Sequence, residues 1–385
     1  MDPFHGKGSS RFDDTTLLMG RTRRSILALE AAGVASLVGC VSVPSRTSRD
    51  PFDAGDTDAT VGFVGDVMLG RNVTQHWTGE DPEGVWGSTL ERLQGLDGLA
   101  VNLECCVSRR GNPWPTKTYS FRADPGFAVP ALEAADVPVA SLANNHTLDF
   151  RAVGLRDTLD HLEAAGVAHA GAGPDHDAAF APAVVDAGGL TVAVVALTNR
   201  WPAYAAIPNG AGTAYTRLSR NDPATRARID AVLDQVADRD PDLLVASLHW
   251  GPNWDTSPTD SQVDFGRWLI ERGFDVVHGH SAHVLQGVEV YRGRPIIYDA
   301  GDFVDDYVEK SGVHNKRSAL FELVVTDGRL DRLRIVPTEI EYRAASLADP
   351  VADEWVRKTV RERSNALGTK VEGTGGTVSI PLGVD

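Results

Sequence analysis

Lysine is scarce in this 385-residue chain: Lys7, Lys117, Lys310, Lys316, Lys358 and Lys370 supply every ammonium side chain, and arginine carries the rest of the positive charge. Against 37 Lys and Arg stand 53 Asp and Glu, giving a formal charge of -16. Such a field repels nucleic acid rather than steering it in, which excludes nucleic acid as the expected partner. An Asp-rich, Lys-poor surface resembles that of proteins from salt-loving organisms, where ionic strength screens carboxylate repulsion. An ordinary acidic protein from a GC-rich genome would also favour Arg over Lys. Cysteine is nearly absent too. Cys40, Cys105 and Cys106 are too few for a disulfide framework, and a bridge between the adjacent last two would be strained, so stability has to come from a core. No internal repeat is visible, and no apolar run beyond the N-terminal region is long enough to span a bilayer. What is present suits a globular protein of one large α/β domain or two average ones: 42% hydrophobic residues, 38 Gly for turns and 21 Pro.

The N-terminal region reads as an export signal. Arg23 and Arg24 precede a mildly apolar, small-residue stretch that runs to Gly39 and is broken only by Glu30. Arg pair, short apolar run and terminal Cys, in that order, resemble a twin-arginine signal ending in a lipobox, with Cys40 the lipidated first residue of the mature chain. A single lipid gives only marginal membrane binding, so peripheral tethering to the outer face of the cell membrane is the expectation. Met19 lies just before the Arg pair and is an alternative start to Met1. The expected organisation is a signal over 1–40, a Ser/Thr/Pro/Asp-rich tether over 41–59, an α/β domain over 60–345, and a helix and loose tail over 346–385.

From Ala59 onward, short β-branched runs alternate with segments of helical period, an α/β layout. Expected strands cover 60–64, 99–103, 138–142, 191–197, 243–248 and 274–278, and hairpin-like strands follow beyond 283. Expected helices cover 87–95, 126–135, 153–165, 222–238 and 260–272. Polar residues gather at the ends of the strands, the edge where open α/β sheets bind ligands. Val64-Gly65-Asp66 closes the first run with a carboxylate, and Asn102-Leu103-Glu104 closes the second. Asn144-Asn145-His146 places two amides and an imidazole at a strand-to-helix turn. His249-Trp250-Gly251 ends a fourth run. His278-Gly279-His280-Ser281-Ala282-His283 brings three imidazoles into six residues, of which His278, nearest the strand, reads as structural. Each motif alone has an ordinary structural explanation. Together the five strand ends carry the ligand inventory of a two-metal centre.

These strings resemble the CapA family, linked to capsule and poly-γ-glutamate synthesis: Gly65-Asp66-Val67-Met68-Leu69-Gly70-Arg71, Asn102-Leu103-Glu104, Ala143-Asn144-Asn145-His146, His249-Trp250-Gly251 and Gly279-His280 through Gln286. Phe121 to Pro125 and Tyr298 to Phe303 extend the likeness, which runs from about residue 60 to about 305. The resemblance implies a metallophosphatase-like four-layer αββα sandwich of two mixed sheets, with helices outside. It further implies a role in making or exporting an anionic envelope polymer. By similarity, Asp66, Glu104, Asn145, His249, His280 and His283 are metal ligands, with Glu104 in the place of a bridging Asp, and His146 is the proton donor to a leaving oxygen. The cofactor implied is one or two divalent ions, Mn, Fe or Zn. Arg71, Asn144 and Arg122 are candidates to hold an anionic polymer or a phosphorylated substrate, although either Arg reads equally well as a surface charge.

Three departures bear on catalysis. Met68 stands where a phosphatase has a His ligand, His280-Ser281-Ala282-His283 replaces His-His-Pro-His, and Gly301-Asp302-Phe303 replaces Gly-Asn-Phe; in addition, Asn253 stands where the family often has Glu. The first of these predicts that one metal position is weak or empty. Three readings stay open at this level: a metal-dependent phosphoesterase, a non-catalytic polyanion-binding subunit of a membrane synthase complex, and a hydrolase of amide or glycosidic bonds in an envelope polymer.

Overall fold

The computed structural model describes residues 52–310, 312–373 and 378–383. The Arg pair and Cys40 of the export reading, and most of the expected tether, lie outside these residues. The chain builds half of one sheet, then the whole of a second, then returns to finish the first. Strands β1 (Ala59–Val67), β2 (Gly98–Leu103), β3 (Val139–Ser141) and β4 (Ala168–Ala170) lie side by side and parallel. The second sheet follows with β5 (Ala183–Ala187), β6 (Leu190–Thr198), β7 (Leu243–His249), β8 (Val276–His280), β9 (Val288–Tyr291) and β10 (Arg294–Ile297). Its spatial order is β9-β10-β8-β7-β6-β5, parallel in the middle and antiparallel at both edges. The chain then crosses back through β11 (Asp302–Val304), which pairs with the end of β1. Strands β12 (Arg317–Thr326), β13 (Arg329–Glu341), β14 (Ala344–Leu347) and β15 (Val378–Pro381) complete a nine-stranded mixed sheet.

Helices cover the outer faces, and local chemistry sets where they start. Asp124-Pro125 opens α1 (Pro125–Ala134) and Asp222-Pro223 opens α3 (Pro223–Ala237); in each the Asp carboxylate accepts from a first-turn N–H, while Pro occupies a position that needs no donor. Between them in the chain runs α2 (Arg151–Ala164), and a Thr259/Gln262 capping box begins α4 (Asp260–Glu271). Leu132, Leu155 and Leu162 pack α1 and α2 on the nine-stranded sheet, whereas Ile229, Phe265 and Leu269 pack α3 and α4 on the six-stranded one. A third core, including Phe63, Val194, Val245, Val276 and Phe321, fills the space between the sheets. Each such side chain contributes about 1.5–3 kcal/mol on burial, so the sheet-to-sheet contact is a principal source of stability. The four-layer αββα sandwich is therefore realised.

At the end of the chain the expected helix forms, but a paired strand stands where a loose tail was expected. Helix α5 (Pro350–Ala366) sends Val356 and Val360 into the core between the sheets, and β15 pairs antiparallel with β13. No helix among the described residues is long and apolar enough to cross a membrane.

Two contacts register the sheets against each other at the edge where the polar motifs lie. His278 Nε2 donates to the Val64 carbonyl at 2.8 Å, the structural role its place nearest the strand suggests. The crossover between β10 and β11 then runs close to β1: Asp66 N donates to Gly301 O at 3.0 Å. A Cβ on Gly65 would stand 1.8 Å from that same oxygen, so only glycine permits the approach.

Candidate metal centre

The five motifs meet at the carboxyl ends of strands from both sheets. Register shifts between Phe63 and Asp66, a bulge that re-aims the end of β1. The Asp66 carboxylate is left 1% exposed with its two oxygens on two different neighbours. Oδ1 lies 3.7 Å from His249 Nδ1 and 3.5 Å from His280 Nδ1, and Oδ2 lies 3.3 Å from His283 Nδ1. Asn102 on β2 fixes this orientation by donating to Oδ1 at 2.6 Å. Two groups of potential ligands result, Asp66-His249-His280 and Asp66-Glu104-His283-Asp302, each with ligand atoms within 4.8 Å of one another and all buried. Asp66 is common to both groups, and Glu104 Oε1, 3.7 Å from His249 Nε2, also borders the first.

Asp302, noted in the sequence only as a departure within Gly301-Asp302-Phe303, joins the centre as a potential ligand that motif reading did not assign. It opens β11 as the register partner of Asp66, and its Oδ1 lies 2.8 Å from His283 Nδ1. Asp302 thus adds a potential ligand to one of the two groups, where the sequence reading expected one metal position to be weak or empty. Met68 itself is fully buried in the core outside the nine-stranded sheet, its sulfur accepting from Gly70 N at 3.2 Å. Met68→Leu is therefore expected to leave metal content unchanged and to cost under about 1.5 kcal/mol, as shape-conserving core exchanges do. Elemental analysis and a thermal melt check both.

The electrostatics of the two groups call for a cation. Asp66 Oδ2, Glu104 Oε1 and Asp302 Oδ2 are buried without a hydrogen-bond partner. Burial, and then the neighbouring Asp66 charge, push the Glu104 carboxyl well above its ordinary value, and burial does the same for Asp302. His283 goes the other way from a typical buried imidazole: burial disfavours its charge, but Asp302 and Glu104 outweigh it and hold its pKa well above the ordinary value. His249 and His280 are held well below theirs by burial and by neighbouring positive charge, so both stay neutral and able to ligate. Oxygen and imidazole donors in this mixture suit a borderline or hard divalent ion. The two buried cysteines offer no thiolate, since burial pushes both thiols up, Cys106 to about 12.

Asn145 reaches the centre from the turn after β3, its Oδ1 2.6 Å from His249 Nε2. His146 follows it. Its Nδ1 lies 2.6 Å from Asp149 Oδ2, its ring stacks on Phe121 with centroids 3.6 Å apart, and its Nε2 faces Glu104 Oε1 at 3.9 Å. Asp149 also accepts from Phe121 N at 2.7 Å, Lys117 Nζ at 2.6 Å and Tyr204 OH at 2.9 Å. Burial works against the Asp149 charge, but His146 and Lys117 outweigh it and keep the carboxyl below its ordinary value. Nδ1 therefore carries the His146 proton that Asp149 accepts. Burial lowers the ring to about 4, so Nε2 is unprotonated in the free protein at neutral pH.

The three residues read as substrate holders fall elsewhere. Asn144 is fully buried and spends its amide internally, on Asn102 Oδ1, Leu103 O, His146 N and Thr147 Oγ1, which makes it a brace for the turn rather than a substrate contact. Arg71 and Arg122 line a neighbouring cavity of about 440 Å³. Phe121 separates Arg71 from His146, with the guanidinium 5.2 Å from the centroid of that ring.

Fold and site together define a four-layer α/β sandwich with a buried, carboxylate-bridged pair of metal-ligand groups. The chain belongs to the family described as "Bacterial capsule synthesis protein PGA_cap", which matches residues 60–307. It is 35% identical to a "Probable polyglutamine synthesis accessory protein" of Mycobacterium tuberculosis (strain CDC 1551 / Oshkosh), over 83% of this chain and 94% of that one. The "PGA biosynthesis protein CapA" of Bacillus subtilis (strain 168) is 26% identical over 79% of this chain and 77% of its own length. The "Capsule biosynthesis protein CapA" of Bacillus anthracis is 29% identical over 73% and 67%.

Proposed function

We propose that this protein acts in the synthesis or export of an anionic envelope polymer, and that its centre is a metal-dependent phosphoesterase site. The observation that carries the enzymatic part is the pair of ligand groups sharing Asp66, set beside an imidazole that a buried Asp holds in one tautomer. The names of its relatives support the polymer part and suggest an accessory role in polymer synthesis, for which a membrane synthase complex is the partner we propose. Arg23, Arg24 and Cys40 support export and a lipid tether on the outer face of the membrane.

Asp66, His249 and His280 would hold one ion, with Asn145 adjoining; Asp66, Glu104, His283 and Asp302 would hold the other, manganese, iron or zinc being the candidates. Bound there, divalent ions supply neutralisation of phosphoryl charge and acidification of water. The chain supplies position and the proton. Phe121 fixes the plane of the His146 ring, Asp149 fixes its tautomer, and Nε2 is the atom that faces the reacting group. A dianionic phosphoryl group beside the ring raises its pKa, so His146 gains its Nε2 proton with the substrate and passes it to the leaving oxygen.

Manganese-loaded full-length protein is expected to hydrolyse an aryl phosphate or an aryl phosphodiester. Absence of turnover on both, in protein shown to hold the metal, would sink the phosphoesterase reading and leave polyanion binding as the function of the centre.

A further inference from the structure

Arg200 stands half-buried two residues beyond the end of β6, where Thr198 pairs in register with the ligand His249. It is tied to that strand end at both backbone and side chain. Thr198 Oγ1 donates to His249 O at 2.9 Å and accepts from Arg200 N at 2.9 Å. Nη1 donates to Gly251 O at 2.8 Å and Nη2 to Asn253 Oδ1 at 2.7 Å, so the guanidinium is held just past His249-Trp250. Both of those acceptors are neutral. Other arginines are held by carboxylates, as Arg92 is by Glu322, Arg110 by Asp157 and Arg267 by Glu289, while Arg363, like Arg200, donates to a backbone carbonyl, that of Leu285. No carboxylate is among these partners, and the remaining N–H groups of Arg200 are uncommitted by these bonds. Burial lowers its pKa, and the charge of Glu104 across the centre offsets part of that cost.

The next residue adds a second donor. Trp201 is held at φ 55°, a strained value for a side chain of its size, and its indole N–H is buried without an acceptor. Lys117 Nζ, which also bonds Asp149 beside His146, lies 5.1 Å from the Trp201 ring. Cationic and N–H groups of Arg200, Trp201 and Lys117 thus lie beside the strand end that carries His249 and the turn that carries His146.

We propose that Arg200 is the oxyanion-holding residue of this centre, binding a non-reacting oxygen of a phosphoryl or carboxylate group through the donors of its fork that the protein leaves unused. A guanidinium suits this task because its planar donors match such anions and remain charged at all working pH values. The proposal rests on the reading of the centre as an anion-binding metal site, not on hydrolysis.

The test is calorimetric titration of manganese-loaded full-length protein with inorganic phosphate and, separately, with a γ-linked glutamate oligomer. Arg200→Gln is expected to weaken binding by about 10–100-fold, the range of a charge-assisted hydrogen bond. Asn253→Glu leaves Arg200 in place but sets a carboxylate against Nη2, and is expected to weaken binding comparably. Arg200→Lys should retain part of it. Manganese content and melting temperature, measured on each variant, separate a lost contact from a lost fold. Weakening in either titration upholds the proposal and tells which oxyanion the site prefers. Unchanged affinity in both variants, or no binding of either probe to the parent protein, overturns it. Arg200-dependent binding without phosphoester turnover would remove the phosphoesterase reading and leave this one standing.

Discussion

Asp302→Ala is expected to lower the manganese content of metal-loaded protein from about two ions per chain to about one, and Asp66→Ala to take it below about one. The asymmetry follows from the ligand groups. Asp302 belongs to one of them, whereas Asp66 gives an oxygen to each. Loss of an outer-shell partner already costs about 10–100-fold in metal affinity, so loss of a direct ligand from a buried three-carboxylate set should cost at least as much. Asp302→Asn should fall between, since the amide oxygen can still ligate but brings no charge. Acid should act in the same direction as the substitution. With Glu104 and Asp302 held well above the ordinary carboxyl value, protons compete for the oxygens an ion would use, and uptake at the Glu104-His283-Asp302 position should weaken as pH falls. Manganese counted by elemental analysis after exhaustive buffer exchange decides the matter. An Asp302→Ala protein that keeps the parent's full metal content would show that Asp302 is not a ligand.

His146→Ala is expected to reduce kcat on an activated phosphodiester by about 100- to 10,000-fold while leaving manganese content intact. The ring belongs to neither ligand group, its Nε2 standing 3.9 Å from Glu104 Oε1, so its removal takes away a proton carrier rather than a ligand. Asp149→Asn should reproduce part of the rate loss by a different route. A neutral amide no longer requires the proton to sit on His146 Nδ1, and the contacts from Lys117, Tyr204 and Phe121 lose a charged acceptor. That variant should therefore melt lower as well as turn over more slowly, whereas His146→Ala should lose mainly rate. Steady-state kinetics beside a melting curve for each protein distinguishes the two. A His146→Ala enzyme as fast as its parent would rule the ring out as the acid.

How much of this was legible in the sequence follows from whether a residue's role is local. Asp66, Glu104, His249 and His280 each close an apolar, β-branched run, so strand periodicity alone puts them at a sheet edge. Asn145, His146 and His283 follow within a few residues of such an edge. Asp302 could not be read that way. It begins a three-residue strand, and its partnership with Asp66 exists because the chain leaves the six-stranded sheet at Ile297 and joins the nine-stranded one at Asp302, a crossing that no local pattern announces. Arg200 was invisible for a similar reason, as a single Arg after a strand whose significance lies in the neutral groups that hold it. Asn144 misled because sequence shows that an amide is present but not that its hydrogen bonds are already taken. The final strand, Val378–Pro381, is short and follows a Gly/Thr-rich stretch, so only its pairing with β13 reveals it.

The crossing from Ile297 to Asp302 also bears on how the protein comes to be folded. One ligand group spans the chain from Asp66 to Asp302, and its members come from both sheets, so it cannot be assembled by a short fragment or by either sheet alone. Closing such a long loop costs entropy that local contacts do not return, which places completion of the centre late in folding, after the sheets have met. Metal retention is then a property of the finished tertiary structure. An ion seated between Asp66 and Asp302 would hold β11 to β1, and misassembled chains should be recognisable as those that fail to keep it.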